Sequence, residues 1–152
     1  MPSNYDAIDL VWTWNGDFKV GVDGDLADTQ GDQIQSTIQE IRAILRAELG
    51  DWDEHPTYAA DIVDFVGEPN TAETARLIQE RIKSALVKNS ILNPEDLQIR
   101  IVPVGPHTLF LSLHLDAVAT SNNSVDSLGS TLSVVLDTNE KLIYFIEGQD
   151  AV

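Results

Sequence analysis

A chain of 152 residues with 25 acidic against 9 basic side chains carries a formal charge of −16, a balance that excludes a phosphate-binding surface and with it nucleic acid as an expected partner. The absence of cysteine rules out disulfides and thiolate metal sites. No apolar run approaches the ~20 residues of a membrane span, and the opening MPSNYDAIDL has no basic segment followed by an apolar one. A soluble chain without a signal peptide and without a membrane partner is therefore expected, with Asn122-Asn123-Ser124 a polar loop. A globule of this length buries roughly 68–70% of its unfolded surface, enough for a single domain spanning 1–152.

Along the chain, Ile8, Leu10, Trp12 and Trp14 alternate with Asp9, Val11 and Thr13, and Phe18, Val20 and Val22 resume the alternation after Asn15-Gly16. Residues 8–22 read as an N-terminal hairpin. A three-residue connection through Asn15, Gly16 and Asp17 sets Leu10, Trp12 and Trp14 opposite Val22, Val20 and Phe18, which keeps the apolar set on one face; register follows the buried face. Gly24 suits a turn with positive φ. A long helix follows, with Asp28 or Thr29 as cap, Asp32 near its positive end, and an apolar stripe of Ile34, Ile38, Ile41, Leu45 and Leu49. Gly31 in its first turn marks a close backbone approach, and Gly50 is placed for a left-handed C-terminal cap. Residues 51–56 form a polar connection, and 59–66 a short helix stopped by Gly67-Glu68-Pro69. Asn70 opens the second main helix with Glu73 as a capping-box partner, on a stripe of Ala75, Ile78, Ile82 and Leu86. The helical core thus covers 29–90.

Residues 97–147 read as β structure. Leu97, Ile99 and Ile101 share a face, and Pro103 makes the distal end of that strand an edge or an end of pairing. Leu109, Leu111, Leu113 and Leu115 alternate with Phe110, Ser112, His114 and Asp116, so one face of that strand must be buried. The last hairpin, around 137–140, would oppose Leu132 and Val134 to Phe145 and Ile143. It carries Val135, Leu142, Tyr144 and Ile146 on its other side, so neither face is polar. Either this hairpin is central in the sheet or another chain covers it. The fold class is α+β: two main helices and one short helix on a mainly antiparallel sheet, with a hairpin at each end.

Nothing in the chain spells a catalytic centre. Glu48, Asp51, Glu54 and Glu68 near Trp52 and Tyr58 are the one carboxylate group with aromatic neighbours that suits a two-acid hydrolase. Asp23, Asp25, Asp28 and Asp32 resemble a calcium loop, but the position that needs glycine is Asp28 and no glutamate closes the loop. His55, His107 and His114 lack zinc spacing, and GxSxG, Walker A and GxGxxG are absent. No cofactor and no metal is expected. Trp12 and Trp14 suit a core or an interface.

The order of features over 10–104 does resemble a known family. A strand pair ending in Gly24-Asp25-Leu26, a helix with Gln33 and Ile34 near its start and Leu45 before a Gly-acid-Trp turn, a proline loop, a short helix, Gly67-x-Pro69-Asn70 and a second helix are similar to the baseplate wedge, or sheath initiator, proteins of contractile-tailed phages and related injection machines. The resemblance implies a non-enzymatic virion component, assembled in host cytoplasm and present in six-fold copies. Its partners would be other wedge proteins and the sheath protein, with the tube or hub protein as a further contact. In that family a Gly-Glu-Arg or Glu-Pro-Arg loop after the long helix docks the protein onto the wedge core. Here the place holds Gly50, Asp51 and Trp52 with Pro56 downstream, and the arginine is absent, so these four are the implied docking residues. Gly67, Pro69 and Asn70 match a structural turn. The family also templates the first sheath ring by strand exchange, which fits a last strand of Leu142, Ile143, Tyr144, Phe145 and Ile146 open to β-augmentation. Two alternatives stand beside this reading: a peptidoglycan hydrolase using the carboxylates named above, and a free-standing cytosolic adaptor.

Overall fold

The computed structural model describes residues 8–13, 16–30, 32–115, 118–119, 125–126, 130–140 and 142–146. Trp14, Asn15, Gly31, the side chains of Ile34 and Leu142, and the Asn122-Asn123-Ser124 loop lie outside the described residues. Two helices, α1 (Gln33–Arg46) and α2 (Ala72–Lys88), accompany an antiparallel sheet of β1 (Leu97–Pro103), β2 (Thr108–Leu115), β5 (Ser130–Asp137) and β6 (Leu142–Ile146) in the order β1-β2-β5-β6. A separate two-stranded piece pairs β3 (Val118–Ala119) with β4 (Val125–Asp126). The architecture is α+β, as the sequence predicts.

The core forms where the helix stripes meet one face of the sheet. Leu109, Leu111, Leu113 and Leu115 from β2 and Leu132, Val134 and Leu136 from β5 are buried against Ile41, Ile44 and Leu45 of α1 and Ile78, Ile82 and Leu86 of α2. Leu97 and Ile99 extend that layer onto β1, an edge strand as Pro103 requires. α1 is capped by Asp32, whose Oδ1 accepts from Gln35 N at 2.9 Å, and not by Asp28 or Thr29. Those two are engaged earlier: Asp28 Oδ1 accepts from Gln30 N, and the Thr29 hydroxyl accepts from Asp9 N. The helix ends at Arg46 because Ala47 is extended (φ −76°, ψ 144°), so Leu49 falls past the end and is exposed while Ile44 joins the stripe. Gly50 has the expected positive φ of 92°, but it does not cap α1. It sits in the following loop and donates to Pro56 O at 3.1 Å.

The expected short helix over 59–66 contracts to a single 3-10 turn, Ile62–Phe65. Asp61 enters it with φ 52°, which breaks any helix continuing from Ala59, and Ile62 and Phe65 still supply its buried side. α2 is capped by the Thr71 side chain, which accepts from Thr74 N. Asn70 does not open the helix, and Glu73 makes no capping box; it pairs with Arg76 instead. Ile78, Ile82 and Leu86 form the stripe as expected.

Both hairpins depart from the expected register by two residues. At the C-terminal end Val134 faces Phe145 and Leu136 faces Ile143. The Asp137 carboxylate accepts from Asn139 N and Glu140 N, which shifts the loop by one residue and preserves the faces. At the N-terminal end Trp12 pairs with Phe18, Val20 with Leu26 and Leu10 with Asp28. The predicted two-segment hairpin is instead a junction of three segments, because a second turn, with Gly21 N donating to Asp25 O at 2.7 Å and Gly24 at φ 86°, brings 26–28 back beside Leu10. At its centre Val11 N donates to Ala27 O, Ala27 N to Lys19 O and Lys19 N to Val11 O, at 2.8, 2.8 and 2.9 Å. Each segment thus satisfies the next in a closed triangle, with no regular strand needed.

α1 holds this junction with polar side chains. Gln39 acts as a surrogate strand, its Oε1 accepting from Trp12 N at 2.8 Å and its Nε2 donating to Leu10 O at 3.2 Å. Arg42 donates to Thr13 O at 2.9 Å. Both side chains are buried.

Candidate functional site

β6 is the second edge of the main sheet: it pairs with β5 on one side, and no described residue pairs with the other. Its inward residues are anchored. Ile143 and Phe145 pack on the core, and the guanidinium carbons of Arg42 and Arg46 lie 5.5 and 4.7 Å from the Phe145 ring centroid. Burial, and secondarily the neighbouring Arg46 charge, push the Arg42 pKa down. The electron-rich ring face that both cations meet offsets part of that repulsion. The outward residues Tyr144 and Ile146 are 52% and 44% exposed.

Register assembles the outer face from four strands. Val102 lies opposite Phe110, Phe110 opposite Val135, and Val135 opposite Tyr144, so one apolar row crosses the whole sheet. Directly opposite residues share a face, and their side chains make contact. The adjoining rows turn polar, through Arg100, Ser112 and Ser133 up to an apolar end at Ile146, then through Gln98, His114 and Thr131. A shallow depression there is lined by Gln98, Arg100, Ser112, His114 and Thr131, with His114 Nδ1 2.9 Å from the Thr131 hydroxyl. The two possibilities for the last hairpin thus divide between its strands: β5 is central, and β6 is an edge whose outer face no described residue covers.

At the far end of α1, residues 48–58 form a tight loop that brings Gly50, Asp51, Trp52 and Pro56 together at the surface. Asp51 Oδ2 accepts from Glu48 N at 2.9 Å and Asp51 N donates to Glu48 O, so this carboxylate braces its own turn. The exposed Trp52 meets Tyr58 edge-on, with centroids 6.3 Å apart. The Tyr58 hydroxyl donates to Glu40 Oε1 at 3.3 Å. Burial raises the Glu40 pKa and the Tyr58 hydrogen bond lowers it, with a net rise; burial and then the Glu40 charge push Tyr58 above the ordinary phenol range.

The second predicted turn ties layers together. Gly67, at φ 87°, donates to Thr138 O, Pro69 O accepts from the Thr74 hydroxyl, and Asn70 Nδ2 donates to Gly105 O and Thr108 O at 2.6 and 3.2 Å. Asn70 thereby fastens the start of α2 to the β1–β2 turn.

Glu48, Asp51, Glu54 and Glu68 are all exposed, whereas a general acid of a two-carboxylate hydrolase is raised by an apolar pocket. No group of three metal-ligating side chains occurs among the described residues, and no described helix is long and apolar enough to cross a membrane. Two surfaces escape sequence reasoning. The row from Val102 to Tyr144 depends on register between strands far apart in sequence. The outward turn of Trp12 and Phe18 depends on the three-segment junction, whose one local sign is the turn at Asp23-Gly24. No protein-family model matches this chain, and neither the curated proteins nor the solved structures include a match.

Proposed function

We propose that the chain is a non-catalytic structural component of a contractile tail baseplate, joining the wedge core to the first sheath ring. The observation that carries this reading is the open edge of β6 beside the apolar row from Val102 to Tyr144. An unpaired edge is ordinarily blunted by charge, proline or a covering element; Leu142, Ile143, Tyr144, Phe145 and Ile146 contain neither charge nor proline. Main-chain hydrogen bonds from an incoming sheath arm satisfy such an edge, and the row's exposed end at Tyr144 supplies side-chain contact beside it. The order of features from the first turn to α2 names the machine by resemblance. The loop of Gly50, Asp51, Trp52 and Pro56 is the proposed contact with the wedge core, and a Trp at the centre of a contact carries a large share of binding energy. In this reading the chain is present in six-fold copies within the virion, with tube or hub protein a further neighbour.

The test is Tyr144→Lys combined with Ile146→Lys in the particle. Both side chains are exposed, so folding is retained. Electron microscopy is expected to find baseplates and tubes without sheath. Normally sheathed tails contradict the reading, as does peptidoglycan release by the purified chain that disappears on Glu48→Gln or Glu54→Gln.

A further inference from the structure

The N-terminal junction presents a second, unrelated surface. Its bridge pairs Leu10 with Asp28, Trp12 with Phe18 and Val20 with Leu26 place those side chains on one face. Trp12, Phe18, Val20 and Leu26 are 40%, 41%, 61% and 46% exposed, and the Trp12 and Phe18 rings lie 4.2 Å apart. Gln39 and Arg42 fix the junction to α1 from behind, so the platform is held and not merely collapsed. Contiguous exposed apolar surface of this kind marks an interaction site.

The charge around it selects the occupant. Residues 8–32 contain six aspartates and a single base, Lys19. Asp17, Asp25 and Asp28 each accept a backbone N–H through Oδ1, from Phe18, Leu26 and Gln30, and all three are exposed on the same segments that carry the platform. None of the described ion pairs involves them. A second copy of a chain with a formal charge of −16 would bring like charge to this rim.

We infer that the Trp12–Phe18 face is a docking platform for a basic amphipathic helix of a partner protein. An apolar stripe on that helix covers Val20, Leu26 and the two rings, and flanking Lys or Arg side chains reach outward to the carboxylates or lie over the indole. This surface is independent of the β6 edge.

The test uses the full chain and a synthetic helix of about 18 residues, leucines at helical spacing flanked by lysines, with a glutamate-for-lysine version as control. Fluorescence anisotropy is expected to show salt-sensitive binding of the lysine peptide alone. Trp12→Ala with Phe18→Ala weakens it about tenfold or more, and so does the triple Asp17→Asn, Asp25→Asn, Asp28→Asn, which keeps an oxygen for each backbone bond. The triple Asp53→Asn, Glu54→Gln, Glu68→Gln, removing equal charge elsewhere, changes affinity by no more than about twofold, and Tyr144→Lys with Ile146→Lys leaves it unaltered. Equal loss in the two charge triples, binding of the glutamate peptide, absence of binding, or self-association that Trp12→Ala abolishes would each overturn the assignment. Circular dichroism checks each variant, and if the aromatic double variant unfolds, the two charge triples decide the question.

Discussion

In β2, Leu109, Leu111, Leu113 and Leu115 lie beneath both helices and are fully buried, whereas Trp12, Phe18, Val20 and Leu26 in the N-terminal junction remain open to solvent. Both sets come from alternating sequence. The difference lies in what each meets: α1 and α2 spend their apolar stripes on β1, β2 and β5, while the junction contacts α1 through Gln39 and Arg42. Alternation decides which side chains share a face, and the supply of complementary apolar surface decides whether that face is covered.

Substitutions at matching points of the two regions sharpen this contrast. Leu111→Ala opens a cavity in the core and should cost about 2–5 kcal/mol in urea unfolding. Trp12→Ala should cost about 1 kcal/mol or less, as surface changes usually do. Equal losses would mean that the junction is part of the core. Next in size, Gln39→Ala removes both side-chain bonds to the first segment, with an expected loss of about 1–3 kcal/mol. Hydrogen exchange should accelerate at Val11, Trp12, Lys19 and Ala27 and stay slow in β2. Thr71→Ala, which uncaps α2, should cost about 1 kcal/mol, measured by thermal unfolding.

The smallest effect concerns Glu40. Burial raises its pKa above the ordinary 4.5, so the folded chain holds this proton more tightly than the unfolded one does. Its contribution to stability is then complete below pH 4.5 and is lost as pH rises through the higher folded value. Glu40→Gln should remove that segment of the pH profile, seen as a difference between the two proteins' unfolding curves. A difference of the opposite sign would mean that the Tyr58 hydrogen bond, which lowers the pKa, outweighs burial.

Local chemistry made much of this legible. The β2 leucines, the α2 stripe, the edge position implied by Pro103 and the turn at Gly24 all follow from spacing and backbone preference over a few residues. The helix starts are not legible locally, because Asp28 and Thr29 serve the junction and Asn70 serves the β1–β2 turn, partners distant in sequence. The C-terminal hairpin keeps its faces and shifts its register, since a slip of two preserves the alternation and leaves turn chemistry at Asp137 to decide. The expected N-terminal hairpin instead gives way to the three-segment junction made by the turn at Asp23-Gly24. The apolar row across the outer face required four strands in register, which no single stretch encodes. The loop of Gly50, Asp51, Trp52 and Pro56 is singled out in the sequence by resemblance alone, and its internal bracing through Asp51 belongs to the fold.

The most direct measurement is hydrogen exchange across Leu142–Ile146 in the free chain and in a sheathed tail. Recruitment of a sheath arm by β6 predicts that these amides exchange about tenfold or more slowly once assembled, with β2 already slow in both states. Exchange across β6 that is unchanged in the sheathed tail would contradict the account.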